Sequence, residues 1–306
     1  MLEGLRRLAR ERDAVILAHN YQRPEVQDVA DFVGDSLELS VKAMEAEADV
    51  VVFAGVDFMA EQAAVLNPGK TVLHPDPTSR CPMAWMLTTR EVEEYRKRYP
   101  GAPLVVYVNS LAEVKAIADY VVTSSSAAKL VSQLDADLVL FGPDRNLAEY
   151  VGEVTGKEVV PVPETGHCPV HAVITPEEVG EAKARHPGAT LLAHPECVKE
   201  VRDAADFVGS TSQMVKAAAS TGAREVVVAT EVGLLYRIER EGKRAYPASP
   251  YAVCVEMKKI TLEKIRDCLL SGRGAVEVEP KVAEKCRKVL ERSLELIGVE
   301  VPWSKR

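Results

Sequence analysis

Several features that define other classes of protein are missing from this sequence of 306 residues. It has no run of about 18 apolar residues, so it predicts no membrane-spanning helix. The first residues, MLEGLRRLARERDA, form a charged amphipathic helix pattern without the apolar segment and cleavage site of a signal peptide. Its 38 basic residues, against 46 acidic ones, form no long block, so no nucleic-acid partner is expected. These absences predict a cytoplasmic protein.

Two absent motifs narrow the chemistry. There is no C-x-x-C pair, and six cysteines in a chain of this size without a secretion signal indicate reduced thiols or metal ligands. No G-x-G-x-x-G turn follows a predicted strand, which argues against a nicotinamide-dependent reductase.

Internal repetition is the strongest signal that the sequence does contain. Three stretches match one another: VILAHNYQRPEVQDVADFVGDS (15–36), LVVYVNSLAEVKAIADYVVTSS (104–125) and LLAHPECVKEVRDAADFVGSTS (191–212). Their Ala-Asp-aromatic-Val segments begin at Ala30, Ala118 and Ala205, which are 88 and 87 residues apart. An ordered series of such matches predicts that the chain is a triplication.

Each copy has the same predicted order of elements. A buried strand (15–18, 104–107, 191–193) precedes an amphipathic helix, a brief second strand, a helix capped by Ser or Thr, and a third strand (50–54, 138–141, 226–229). Strands that alternate with helices predict parallel sheets covered on both faces. We therefore expect an α/β protein of three repeated small αβα sandwich domains with parallel sheets around a pseudo-threefold axis.

The predicted domains follow the copies. The first comprises residues 1–85 together with 259–306, whose helical pattern has no counterpart in the repeats and is expected to pack back on it. The second spans 86–172 and the third 173–258.

Polar residues follow the first strand and begin a later helix in every copy. Ligands of parallel α/β units gather at the carboxyl ends of strands and the amino ends of helices, where free N–H groups favour anions. The aligned positions are His19 and Tyr21, Tyr107 and Asn109, and His194 and Glu196 at the strand ends, with Ser36, Ser124 and Thr211 (and Ser210 beside it) at the helix starts. They predict an enclosed pocket for a small anionic ligand, although capping alone would explain any single Ser or Thr.

One cysteine in each copy occupies an equivalent position: Cys81, Cys168 and Cys254, with spacings of 87 and 86 residues. Structural zinc usually takes four ligands, and catalytic zinc with three thiolates is uncommon. Three thiolates suit an iron–sulfur cluster and leave one iron free as a Lewis acid. The other cysteines are Cys197, a rival ligand near the rim, and Cys268 and Cys286, which are expected to be small buried residues.

Nine segments lie in order along nearly the whole chain: ILAHNYQRPEVQDVADFVGDSLELS (16–40), GVDFMAE (55–61), CPMA (81–84), YVNS (107–110), FGPDRNLAEYV (141–151), GHCPVH (166–171), HPEC (194–197), GST (209–211) and CVEMKKITL (254–262). Together they resemble the quinolinate synthases of NAD biosynthesis. Members of that family are similar in having three α/β domains and one [4Fe–4S] cluster held by three cysteines. The resemblance implies a transferase that condenses iminoaspartate with dihydroxyacetone phosphate to give quinolinate, phosphate and two waters. An L-aspartate oxidase or dehydrogenase that supplies the imine is the candidate protein partner.

The resemblance also implies a role for individual residues. Cys81, Cys168 and Cys254 would ligate the cluster. Glu196 resembles the general base, with His194 beside it, and Tyr21 resembles the tyrosine needed for isomerisation and cyclisation. The groups expected to bind carboxylates, phosphate and intermediate carbonyls are His19, Ser36, Tyr107, Asn109, Ser124, His171, Ser210 and Thr211.

Two other functions remain open at this point. An aconitase-type hydro-lyase also uses a three-cysteine cluster, but it needs no phosphate site, so the aligned helix starts speak mildly against it. An iron or redox sensor would need an output surface such as a basic DNA-binding helix, and the sequence shows none.

Overall fold

A computed structural model describes residues 2–299, so Met1 and the end of the predicted first domain, residues 300–306, lie outside the described range. The described chain forms three four-stranded sheets. The strands of the first sheet are β1 (Ala14–His19), β2 (Phe32–Gly34), β3 (Val50–Ala54) and β4 (Thr71–Leu73). The helices around it are α1 (Leu2–Glu11), α2 (Pro24–Val29), α3 (Ser36–Glu45) and α4 (Asp57–Leu66), and a 3₁₀ turn follows at Met83–Met86.

The other two sheets repeat this order. The second unit contains α5 (Thr89–Arg98), β5 (Leu104–Tyr107), α6 (Ala112–Lys115), β6 (Tyr120–Val122), α7 (Ala127–Gln133), β7 (Leu138–Gly142), α8 (Arg145–Thr155), β8 (Glu158–Pro161) and α9 (Pro169–Ala172). The third contains α10 (Pro176–Arg185), β9 (Thr190–Ala193), α11 (Lys199–Ala204), β10 (Phe207–Val208), α12 (Thr211–Ser220), β11 (Glu225–Ala229), α13 (Gly233–Glu239), β12 (Arg244–Pro247) and a 3₁₀ turn at Met257–Lys259.

Strand order confirms the predicted fold. The sheets run β2-β1-β3-β4, β6-β5-β7-β8 and β10-β9-β11-β12, so each places its strands in the same order, and every pairing within them is parallel. In each sheet the chain moves first to one side of the first strand and then to the other. The carboxyl ends of the first and third strands therefore flank a topological switch point, where ligands bind in open α/β sheets.

The repeated Ala-Asp-aromatic-Val segment has a structural function. Its aspartates, Asp31, Asp119 and Asp206, each accept a hydrogen bond from a backbone N–H of the first strand, at 2.8, 2.8 and 2.7 Å respectively. Because the aspartate's own N–H returns a bond to the same strand, the second strand is fixed in register beside the first.

Both faces of the first and third sheets are buried, as the continuous apolar strands predict. Leu17 and Phe53 of the first sheet face one hydrophobic core, whereas Ile16 and Val52 face another, because neighbouring residues of a strand point to opposite sides. The first of these cores continues into the second unit, so the two units share their packing.

The residues that cap the helices differ from those predicted. Ser36 and Thr211 are the first helical residues of α3 and α12, and the capping side chains are those of Asp35 and Ser210. In the second unit Ser124 is not a cap either, since α7 begins three residues later. The hydroxyls of the TSSS segment (123–126) bond to one another and to their own backbone, which competes with helix formation.

The C-terminal helices divide between two units. Helix α14 (Leu262–Ser271) packs on α1 and β3 of the first unit. Helix α15 (Pro280–Leu296) contacts α4 of the first unit but also α6 and the edge strand β6 of the second. The Arg287 side chain of α15 donates to Val65 O at the end of α4, 2.7 Å away. None of the described helices is long and apolar enough to cross a membrane.

A side chain of α15 accepts a backbone N–H from the outer edge of strand β6, and Ser293→Ala tests this contact. Ser293 Oγ accepts the backbone N–H of Val121 at 2.8 Å and is buried. The alanine would leave that buried N–H without a partner, so we expect a loss of about 1–3 kcal/mol in the free energy of unfolding. Urea unfolding measures it. Ser132→Ala is the control, because this exposed hydroxyl bonds only to Lys129 O and its loss should cost less than about 0.5 kcal/mol. Equal effects in the two variants would contradict the prediction.

Candidate active site

The carboxyl ends of the first strands border one cavity, and all three units contribute to its lining. Every predicted site residue except Ser210 lines this cavity: His19, Tyr21, Ser36, Cys81, Tyr107, Asn109, Ser124, Cys168, His171, His194, Glu196, Thr211 and Cys254. The hydroxyl of Ser210 instead donates to Asp35 Oδ2 at 3.1 Å and caps α12, so the side chain joins the first and third units behind the cavity wall.

Two histidines leave equivalent strands with the same geometry. His19 Nδ1 accepts the backbone N–H of Tyr21 at 3.2 Å, and His194 Nδ1 accepts that of Glu196 at 3.3 Å. Burial is the main cause that lowers the pKa of each imidazole to about 3; a neighbouring histidine acts in the same direction, and Glu196 acts against it. Both rings are therefore neutral at pH 7, and because Nδ1 accepts a bond, the proton of each lies on Nε2.

Glu196 lies at the centre of a buried polar cluster and is 3% exposed. Tyr107 donates its hydroxyl to Glu196 Oε1 at 2.7 Å, and His171 Nδ1 lies 2.8 Å from Oε2. That second contact is within ion-pair distance but lacks hydrogen-bonding geometry. Burial alone would raise the pKa of Glu196, but His171 and His194 outweigh it and hold the pKa well below its usual value. The carboxylate is therefore ionised.

Thr230 extends this cluster to the first unit, and sequence reasoning missed it. Its Oγ1 lies 2.6 Å from the Tyr21 hydroxyl and 2.8 Å from His171 Nε2. The polar groups thus form one connected series from Tyr21 through Thr230, His171 and Glu196 to Tyr107. Burial, and then the charge of Glu196, raise the pKa of both tyrosines well above its usual value, so both phenols are protonated. The available signal was position, because Thr230 directly follows the third strand of its copy.

Another part of the lining carries hydroxyls and helix starts. Ser36 and Thr211 begin two helices of ten residues each, and Asn20 Nδ2 donates to Thr211 Oγ1 at 2.9 Å. Asp35 also borders the cavity, but it accepts the N–H groups of Leu37 and Glu38 and the hydroxyl of Ser210. Among the described residues that line the cavity there is no lysine or arginine. An anion here would meet N–H groups and hydroxyls instead.

The three repeat-related cysteines line the same cavity and differ from the other three. Cys197, Cys268 and Cys286 are buried in apolar cores, and Cys197 donates its S–H to Ala229 O at 3.3 Å. Burial raises the pKa of Cys254 to about 11 and that of Cys81 and Cys168 well above the usual thiol value. Without a bound cation these thiols stay protonated, and a coordinated metal would remove their protons.

A second group of possible metal ligands overlaps with the cysteines. The ligand atoms of Cys168, His171 and Glu196 all lie within 4.8 Å of one another, close enough for a single ion. In residues 2–299, the three cysteines do not form so tight a group. Three thiols lining one cavity are a donor set suited to an iron–sulfur group.

Neutral His19 predicts how stability responds to pH. The unfolded chain takes up a proton on this imidazole below pH about 6.5, whereas the folded chain does so only near pH 3, so stability is lost as pH falls through this window. The slope is about 1.4 kcal/mol per pH unit for one histidine. We expect His19→Gln to lose about 2 kcal/mol less than the parent chain between pH 7 and pH 5. Urea unfolding at both pH values measures the difference, and His194→Gln should behave alike. An unchanged pH dependence in both variants would refute neutral burial.

Comparisons with known proteins match one family over nearly the whole chain. A family model described as "NadA: Quinolinate synthetase A protein" matches residues 3–295. The chain is 53% identical over 298 residues to the quinolinate synthase of Thermococcus kodakarensis, covering 97% of this chain and 98% of that protein. It is 48% identical over 303 residues to that of Methanocaldococcus jannaschii (97% and 99% covered) and 46% identical over 299 residues to that of Thermotoga maritima (97% and 100%). The chain belongs to the quinolinate synthase family.

Proposed function

We propose that this enzyme condenses iminoaspartate with dihydroxyacetone phosphate and releases quinolinate, phosphate and two waters, which makes it a transferase. One observation carries the proposal. A single cavity is lined by one cysteine from each of the three units, by the ionised Glu196, and by the starts of two helices. The family to which the chain belongs supports the same reaction. Its imine substrate must come from oxidation of the amine of aspartate, so an L-aspartate oxidase or dehydrogenase is the proposed supplier.

Cys81, Cys168 and Cys254 would hold the proposed [4Fe–4S] cluster. All three line the cavity, whereas the other three cysteines are buried away from it. Their raised thiol pKa values fit ligands that lose a proton only when a metal binds. When bound, a cluster with one iron free of cysteine supplies a Lewis acid for substrate hydroxyl and carbonyl oxygens.

Substrate anions would bind at the hydroxyls and helix starts of the lining. The N–H groups that begin α3 and α12, with the hydroxyls of Ser36 and Thr211, suit a phosphate or carboxylate. Asn109 and Ser124 add polar side chains from the second unit, and the Nε2–H groups of His19 and His194 are neutral donors. Neutral donors hold an anion without forming a tight ion pair, which suits intermediates whose charge changes during the reaction.

Proton transfers would use the series from Tyr21 to Tyr107. Glu196 is ionised and can take a proton from a substrate carbon or hydroxyl, and His171 beside it can pass a proton to Thr230. Tyr21 is a protonated phenol bonded to the same Thr230, so it can donate to a leaving hydroxyl and be resupplied. Loss of two waters requires such a base and such an acid in one site.

An anaerobic assay tests the reaction and its cofactor together. Protein reconstituted with iron and sulfide, given dihydroxyacetone phosphate and freshly generated iminoaspartate, is expected to form quinolinate, detected by mass spectrometry. Cys168→Ala is expected to bind substantially less iron and give no product. Cys197→Ala is the matched control: it removes a thiol outside the cavity and should keep both the iron and the activity.

The outcomes separate the alternatives. A protein that retains its cluster but makes no quinolinate would refute the proposed substrates and favour a hydro-lyase or a sensor. Full iron content in Cys168→Ala would refute the proposed ligands even if the parent chain made product.

Replacing the proposed base gives a second prediction. Glu196→Gln keeps an acceptor for Tyr107 but cannot take up a proton, so kcat is expected to fall about 10²–10⁴-fold. Steady-state kinetics measure the fall, with iron and sulfide determined on the same sample. Glu200→Gln, an exposed change four residues away, should leave kcat unchanged. A kcat for Glu196→Gln within threefold of the parent value would rule out Glu196 as the base.

A further inference from the structure

Each of the three cavity cysteines donates its backbone N–H to a carboxylate of its own unit. Cys81 N–H donates to Asp57 Oδ1 at 2.9 Å, and Cys168 N–H donates to Asp144 Oδ2 at 2.9 Å. In the third unit Cys254 N–H donates to Glu231 Oε1 at 3.0 Å. A single hydrogen bond from a backbone N–H to a carboxylate is common in loops. Three such bonds at equivalent cysteines indicate that they have the same function.

The carboxylates are themselves repeat-related. Asp57, Asp144 and Glu231 are spaced 87 and 87 residues apart, and each lies two or three positions after the third strand of its sheet. Each also holds the start of the next helix, by accepting the N–H of Phe58, Leu147 or Gly233. The carboxylate therefore joins the rigid strand-to-helix corner at the switch point to the loop that carries the cysteine.

Each bond fixes the cysteine loop beside the sulfur that the cysteine presents to the cavity. A loop anchored at the cysteine's own backbone limits where its sulfur can lie.

The three carboxyl groups differ in burial and in their other partners. Asp144 and Glu231 are fully buried. Glu231 pairs with Lys258 at 2.9 Å, and Asp57 accepts the indole N–H of Trp85 at 2.8 Å. Asp144 has only backbone N–H donors for its two oxygens, and burial, then the charge of Glu196, raises its pKa well above the usual value. Burying a carboxyl group is costly unless its oxygens are hydrogen-bonded, so the fold depends on its bond to the cysteine loop.

We propose that Asp57, Asp144 and Glu231 are positioning residues that fix the three cysteine ligands, so that retention of the iron–sulfur group depends on them. The inference rests on the proposed ligand role of those cysteines. It adds a set of groups that do not touch the cluster but orient its ligands, as outer partners do at other metal sites.

Asp144→Asn tests the proposal because an amide has only one acceptor oxygen. It can accept from Leu147 N–H or from Cys168 N–H, but its NH₂ group must face the other donor. In anaerobically reconstituted protein we expect cluster loss to a chelator, followed by visible absorbance, to be about 10–100 times faster than in the parent chain. The electron paramagnetic resonance spectrum of the reduced cluster should also change. Asp57→Ala, at a less buried position, is the second variant and should respond in the same direction.

Thr175→Ala controls for a general loss of stability. It removes the capping hydroxyl of α10, which contacts no cysteine, at a cost of about 1 kcal/mol. Cluster loss at the parent rate is expected here, with an unchanged spectrum. Equal acceleration in Thr175→Ala and Asp144→Asn would overturn the positioning role and assign the effect to stability.

The remaining outcomes are decisive as well. If Asp144→Asn does not fold, Asp57→Ala decides, and parent-like cluster loss in that variant refutes the proposal. If Cys168→Ala loses its cluster while both carboxylate variants keep theirs at the parent rate, the ligands stand and only the positioning role fails. If Cys168→Ala keeps its cluster, the proposed ligand set fails first.

Discussion

The contacts of the buried Glu196 carboxylate hold the units together, and the same contacts form the candidate active site. The carboxylate belongs to the third unit, but Tyr107, which donates its hydroxyl to it, and His171, which lies 2.8 Å from it, come from the second. Its backbone is held from the second unit too, since Asn146 Nδ2 donates to Glu196 O at 3.0 Å, and Thr230 extends the network to Tyr21 of the first. A buried charge that loses its partners is strongly destabilising, so the units cannot separate here without leaving the Glu196 carboxylate unpaired.

The electrostatics of the cavity follow from burial. Its histidines at positions 19 and 194 are neutral, its tyrosines and cysteines are protonated, and the described lining residues include no lysine or arginine. The charge of an ionised Glu196 opposes the binding of anions, whereas the two helix starts favour it. A cluster held at the cysteines would contribute an iron that can bind anionic oxygens directly. Affinity for anionic substrates should therefore depend on the thiols that we propose as ligands.

The sequence predicts what depends on local pattern. Continuous apolar strands and a repeat near 87 residues gave the three parallel sheets, and His19, Glu196 and Cys168 lie where aligned strand ends and loops place them. It could not show that Ser210 turns to Asp35, or that Thr230 bridges Tyr21 and His171, because these bonds join units distant in the chain. The helical pattern of α15 was predicted, but its contact with the second unit was not, because an amphipathic pattern marks an apolar face but not the element that covers it.

One part of the site is nearly the same in all three units, and another part is not. The cysteines and their carboxylate partners are nearly the same in all three units, with Glu231 in place of an aspartate as the single change. The strand ends are not: they carry His and Tyr, then Tyr and Asn, then His and Glu. Three similar loops suit a compact group bound from three sides, as we propose for the cysteines. The proposed substrates have no such symmetry, and the strand ends that would face them differ from unit to unit.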